Sequence, residues 1–312
     1  RPHFDKKRDD RKPSRGFQQQ EVREAKIAEL SLNKANGESG SVKVTVKSTG
    51  VSYKPKEKKT GALSPRAPEK IKKNRAEEMK VYGENACLEL FAERPESIVR
   101  VWATVQMAHR IGEIFSYLAA NKKVYHVVDS DELSLVSGTD HHGGICMLVK
   151  KQRTFSLQGY LDVPRQEDCL VVLDQVNNAQ NLGGVVRTCA FYGIKNVVTN
   201  QVEQLYAPAA MRVAEGGMEH ICILETKSTE IALEALRKAG YQIVHVSTNK
   251  QGIALEQLKF AAKVALVLSE GSTDDIREKE DVDVRLSLSN PLKTGLNIAV
   301  NTGILLAHWY VK

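Results

Sequence analysis

The sequence predicts an α/β protein, with a C-terminal domain built on a parallel sheet, a smaller α/β domain before it, and a basic N-terminal arm that does not fold by itself. Three observations carry this reading. Residues 169–173 (CLVVL) and 263–268 (KVALVL) are apolar at nearly every position, as strands buried on both faces are. Helical patterns stand between such runs, the alternation a parallel sheet requires. The charge is also divided: residues 1–80 hold 22 Lys/Arg against 11 Asp/Glu, so the other 232 residues carry −4 of an overall +7.

Only 12 of the first 80 residues are Leu, Ile, Val or Phe, too few to offset the entropy of ordering, and 1–78 is expected to be disordered. Within it, 18–30 has helical spacing and 41–48 (SVKVTVKS) alternates like a strand, neither with a neighbour to pack on. Lys and Arg displace counterions from phosphates without a fixed fold, so the arm is a candidate polyanion-binding element. The first twenty residues lack the apolar stretch of a secretory signal, and no apolar run approaches the roughly 18–20 residues that cross a bilayer. A cytoplasmic location without membrane association is the expectation.

Residues 79–152 read as one small α/β unit, with helical spacing at 86–92 and 107–120 and strands at 98–103, 124–128 and 145–150. The polar stretch 151–168, with Gly159 and Pro164, marks a linker whose centre is 153–164. From 165 to 312, strands at 169–173, 196–199, 221–224, 242–246 and 263–268 alternate with helices at 181–192, 229–239 and 298–308. In such sheets ligands bind beyond the carboxyl ends of the strands, so the loops there are the places to look for chemistry.

Five cysteines without a CxxC pair suggest buried thiols, neither a metal site nor a disulfide framework. The loop after CLVVL carries Asn181, placed to cap the next helix, and Arg187 two turns in, whose planar fork suits phosphate. Glu270 and Gly271 follow KVALVL directly, and Asn297 opens the last apolar helix. His141 and His142, before Gly143 and Gly144, are candidate RNA contacts, and Trp309 a candidate interface residue.

The order and spacing of these segments resemble the three motifs of the SpoU (TrmH-like) family of SPOUT RNA methyltransferases. NLGGVVRTCAFYGI resembles motif one, LVLSEG motif two and TGLNIAVNTGILLAH motif three. VYGENACLEL with HHGGICMLV resembles the small L30e-like domain that precedes the catalytic domain in many members, and VAEGGMEHICILE the family's Gly-rich stretch, ending in Glu219. Within the family the resemblance leans to the YfiF-type branch.

The resemblance implies a C-terminal domain with a trefoil knot, a homodimer, and transfer of a methyl group from S-adenosyl-L-methionine to a ribose 2′-hydroxyl of tRNA or rRNA, with no role for DNA. By position, Asn181, Arg187, Glu270 and Asn297 fall on the family's catalytic residues, and Arg187 also on its RNA contact. Leu268, Ser269 and Gly271 of motif two, with Leu286, Leu288 and Leu296 around motif three, fall on its donor pocket. The chain departs from the pattern in several places. The Gly before the motif-two acid is missing, with Leu268 and Ser269 in its neighbourhood, Thr273 replaces a later Gly, and Gly295 replaces a motif-three Ser. Ala179 replaces a Pro, and Glu215 stands where a small residue is usual. The alternative these departures raise is a degenerate family member that binds RNA without methylating it.

Overall fold

The computed structural model describes residues 68–247 and 252–312, together with two strands nearer the N-terminus. Those strands, β1 (Lys26–Asn33) and β2 (Ser39–Val46), pair antiparallel, with Ile27 opposite Thr45 and Leu32 opposite Gly40. Part of the arm expected to be disordered is therefore a hairpin, and 26–30, expected to be helical, is strand. Each strand is the neighbour the other lacked: pairing satisfies backbone groups that neither could satisfy by itself. The rest of 1–67 lies outside the described residues. Helix α1 (Glu69–Glu77) lies before 79, within the segment expected to be disordered.

The small domain continues with β3 (Glu78–Tyr82), α2 (Glu84–Glu93), β4 (Ile98–Thr104), α3 (Val105–Ala108), α4 (Gly112–Ala120), β5 (Val124–Val128), α5 (Ser130–Ser137) and β6 (Ile145–Lys150). Its sheet has the order β3-β6-β4-β5, with β6 antiparallel to β3 and β4, and β4 parallel to β5. The single helix expected over 107–120 is two, broken at 109–111. Helix α5, absent from the sequence reading, is bounded by local chemistry: Asp129 Oδ1 accepts from Glu132 N at 2.7 Å, and Gly138 ends the helix at φ +79°.

The larger sheet is formed by β7 (Phe155–Ser156), β8 (Asp168–Asp174), β9 (Asn196–Thr199), β10 (Cys222–Glu225), β11 (Gln242–Ser247), β12 (Ile253–Ala254), β13 (Lys263–Ser269) and β14 (Val282–Arg285). Its order is β12-β14-β11-β13-β8-β9-β10-β7, and every neighbouring pair is parallel. The helices are α6 (Leu157–Leu161), α7 (Ala179–Phe191), α8 (Val202–Leu205), α9 (Pro208–Ala214), α10 (Thr229–Lys238) and α11 (Ile298–Tyr310). No helix among the described residues is long and apolar enough to cross a membrane.

The two-residue period of a strand explains the continuous apolar runs. Val171 and Leu173 point to the face covered by α7, α9 and α11, in a core that runs on into the small domain through Val81, Leu90 and Phe115. Leu170 and Val172 point to the other face, against Leu233 and Leu236 of α10. The expected linker 153–164 is in part structured. Phe155 and Ser156 pair with Leu224 and Glu225 at the sheet edge, Ser156 Oγ caps α6 by accepting from Gly159 N at 3.0 Å, and Leu157 is buried. Four cysteines are buried as expected, but Cys222 is exposed. Burial pushes the Cys146 thiol up to about 11, which keeps it protonated and a poor nucleophile.

Helix α7 approaches α9 closely at Gly183. A Cβ there would lie 2.5 Å from the carbonyl oxygen of Ala210 and 2.5 Å from Val213 Cβ. Gly183→Ala is expected to destabilise the chain by about 1–3 kcal/mol, because backbone has to move to admit the methyl group. Urea unfolding measures this, and an unchanged midpoint would show that the helices separate freely.

Candidate active site

The centre of the large sheet is the pair β8 and β13, in register with Leu173 beside Leu268 and Asp174 beside Ser269. Both carboxyl ends therefore open at one place. Asp174 is buried and accepts from Ser269 Oγ at 2.7 Å and from Thr229 Oγ1 at 2.8 Å. Ser269 Oγ in turn accepts from Gly271 N at 3.1 Å, so the strand-end aspartate fixes the turn that presents Glu270.

Asn178, and not Asn181 as expected, caps α7, accepting from Gln180 N at 2.8 Å and Asn181 N at 3.2 Å. This frees the Asn181 amide for longer reach. Its Nδ2 donates to Glu270 Oε1, and its Oδ1 accepts from Asn297 Nδ2 at 2.8 Å. Asn297 Oδ1 caps α11 by accepting from Ala299 N at 2.8 Å, and Asn177 N donates to Glu270 Oε2 at 3.3 Å. Asn297 thus caps the helix and also lines a cavity beside Glu270. Three of the four predicted catalytic side chains thus form one hydrogen-bonded chain ending on a carboxylate.

Beside this chain is a cavity of about 300 Å³, walled by Asn181, residues 268–271, Thr273 and residues 294–298. It holds Leu268, Ser269, Gly271 and Leu296 of the predicted donor pocket. The departures in motif two leave it open. The side chain of Leu268 is buried in the core, and Ser269 is engaged with Asp174. Asn301, one turn after Asn297, also lines the cavity, and its buried Oδ1 has no hydrogen-bond partner among the described residues. A buried acceptor without a donor is costly and is satisfied when a ligand supplies an N–H or O–H. Cavity size, position at the strand ends and this orphaned oxygen together fit a nucleoside-bearing donor.

Leu286 and Leu288 are not part of it. They line a separate groove with Leu255, Glu256 and His308, because the chain leaves the sheet after β14 and turns outward. Arg187 is also elsewhere. Six residues along a helix from Asn181 correspond to about 9 Å and a rotation of roughly 120°, so the two side chains leave α7 on different faces. Arg187 lies in a groove beside Gly83 and Gly143 of the small domain, and its guanidinium pairs with Glu215 at 3.0 Å.

Of the two histidines, His141 is exposed, but His142 is buried: its Nδ1 accepts from Gly144 N at 2.9 Å and Nε2 faces Ser130 Oγ at 3.4 Å. It shapes the glycine turn and is not available to RNA. Glu219 is likewise internal, paired through Arg94 Nε at 2.6 Å and bonded to Gln152 Nε2 at 3.1 Å, so the end of the Gly-rich stretch fastens the small domain to the large one. Trp309 packs against its own core, leaving Tyr310 exposed. Asp174, Asn177, Asn178 and Asn301 were missed in sequence. Two had a readable signal: Asn301 its helical spacing of four from Asn297, and Asn178 a residue type that favours helix caps.

A parallel sheet with a cavity at its strand ends, joined to a small mixed-sheet domain, is a build shared with solved RNA methyltransferase structures. An AdoMet-bound rRNA methyltransferase from Sinorhizobium meliloti superposes with a TM-score of 0.60 at 18% identity, over 79% of this chain and 95% of that one. Residues 168–307 match the SpoU rRNA Methylase family, and residues 80–155 match the RNA 2′-O ribose methyltransferase substrate binding family. An uncharacterized tRNA/rRNA methyltransferase of Haemophilus influenzae is 65% identical over the whole of this chain and 91% of its own length. The uncharacterized tRNA/rRNA methyltransferase YfiF of Escherichia coli O157:H7 is 42% identical over 78% of this chain and 71% of its own. The chain belongs to the SpoU family of RNA methyltransferases.

Proposed function

We propose that this protein transfers a methyl group from S-adenosyl-L-methionine to a ribose 2′-hydroxyl of tRNA or rRNA, as a cytoplasmic homodimer whose C-terminal segment is threaded as a trefoil knot. The observation that carries the reading is the Asn297–Asn181–Glu270 chain at the wall of the strand-end cavity. S-adenosyl-L-methionine, when bound, supplies an electrophilic methyl on a sulfonium. Residues 268–271 and 294–298 would hold it, and Asn301 Oδ1 would serve as an acceptor for one of its N–H or O–H groups.

A ribose hydroxyl is a weak acid, and negative charge grows on its oxygen as it attacks. Asn181 is held by one N–H on Glu270 and by Asn297 on its oxygen, and offers its second N–H to a substrate oxygen in a fixed direction. Arg187 stabilises the developing alkoxide and anchors a neighbouring phosphate; a guanidinium remains charged at any working pH and acts electrostatically, not as a base. In one protomer Arg187 faces away from the cavity, which favours a dimer in which it serves the cavity of the other subunit. The exposed apolar end where α7 meets α11, with Phe191 80% exposed, Tyr310 67% and Val311 77%, supports such an interface. The arm and His141 are assigned to RNA capture.

Calorimetric titration of S-adenosyl-L-methionine into the full chain tests the reading. Saturable binding near one donor per subunit is expected, weakened about tenfold in Asn301→Ala, where an interaction worth roughly 1–1.5 kcal/mol is lost. Absence of binding by folded protein would leave a degenerate, RNA-binding family member.

A further inference from the structure

The groove that holds Arg187 has a volume of about 390 Å³ and is bounded by the small domain on one side and by α7 and α9 on the other. Two exposed arginines, Arg187 and Arg212, enter it. Of the two acids at its wall, Glu84 is already paired with Arg110 at 2.5 Å, and Glu215 is paired with Arg187 at 3.0 Å. Glu215 Oε2 also accepts from Asn85 Nδ2 of the small domain at 3.4 Å.

Glu215 is an unusual residue for its position. It ends α9 in the left-handed region, at φ +47° and ψ 44°, immediately before Gly216 at φ +91°. A side chain with a Cβ is disfavoured there, and glycine would close the helix with less strain. Strained backbone at the wall of a groove points to a use for the carboxylate.

We propose that this groove is an RNA-phosphate subsite and that Glu215 is its exchangeable counter-ion, holding Arg187 in place until a phosphate takes the guanidinium from it. The proposal rests on the assignment of Arg187 to substrate RNA made above. The pair suits exchange: with the side chains 59% and 40% exposed, it is weak and screened by water. A phosphate offers the arginine fork two oxygens and gains Arg212 as a second cation, so it outcompetes the carboxylate once RNA is seated. Until then Glu215 repels stray phosphate and keeps Arg187 oriented into the groove.

The test is filter binding of bulk tRNA and bulk rRNA to the full chain, comparing wild type, Glu215→Gln, Arg187→Ala and the double variant. Glu215→Gln is expected to tighten binding about twofold to fivefold at low salt, the range an exposed ion pair commands, with the gain shrinking as salt rises. The gain should vanish in the Arg187→Ala background, and S-adenosyl-L-methionine affinity should be unchanged throughout. Glu215→Ala, which also shortens the side chain, is expected to behave alike and covers the case of a poorly folded Gln variant. Equal tightening with and without Arg187 would show a mere bulk charge and overturn the proposal, as would no tightening. Full methyl transfer by Arg187→Ala would instead remove the assignment of Arg187 on which the proposal stands.

Discussion

Arg187→Ala is expected to lower methyl transfer to RNA by about 10²–10⁴-fold while leaving S-adenosyl-L-methionine affinity within about twofold. The size of the loss follows from what the guanidinium does: charge on the ribose oxygen exists only as the reaction proceeds, so a cation aimed at it acts on the barrier and little on ground-state binding. The separation of effects follows from geometry. Arg187 shares no wall with the cavity of Asn181, Glu270 and Asn297, so its removal leaves those contacts intact. Its ion pair with Glu215 is exposed, and losing such a pair costs little stability. Tritium incorporation into RNA and donor calorimetry on the same preparation read the two quantities separately. Equal loss of both would mean that Arg187 organises the donor pocket and is not an electrostatic catalyst.

How far the sequence revealed this arrangement depended on which physical constraint each residue obeys. The central strands were readable because burial on both faces forces β8 and β13 to be apolar throughout. The short edge elements were not: β7 needs only two residues and one buried leucine after it, far below the window over which periodicity can be measured. The hairpin of β1 and β2 was missed because its partner lies within a basic, apolar-poor segment, where composition argues against order and pairing is invisible.

At the site, residue types and their order were readable, and grouping was not. The amides and the acid of three separate loops converge because β8 and β13 are adjacent, a fact of sheet order that no local spacing contains. Asn178 and Asn181 are both good capping residues, and only the geometry of the turn decides that the first caps and the second reaches Glu270. Arg187 shares a helix with Asn181, yet the helical period sends it to another groove. Leu286 and Leu288 were assigned by resemblance, and the loop after β14 carries them away from the cavity.

The divided placement of Arg187 and Asn297 leads to an outcome that a self-contained active site cannot give. Two separately inactive variants, Arg187→Ala and Asn297→Ala, are expected to restore activity when mixed under conditions that exchange subunits. In a heterodimer of the two, one composite site combines both lesions and is dead, while the other combines the intact Arg187 of one subunit with the intact cavity of its partner. Random exchange of equal amounts makes half of the dimers mixed, each with one of its two sites working, so recovery should approach about a quarter of wild-type activity. If Arg187 instead swings into the cavity of its own subunit, every site keeps its own lesion and mixing restores nothing. Sedimentation of the same mixture guards the inference, since a strictly monomeric chain could not complement at any ratio. Recovery near a quarter would also explain why Glu215 can hold Arg187 beside its own small domain in one protomer: the arginine is then stationed where RNA crosses from the groove of one subunit to the donor cavity of the next.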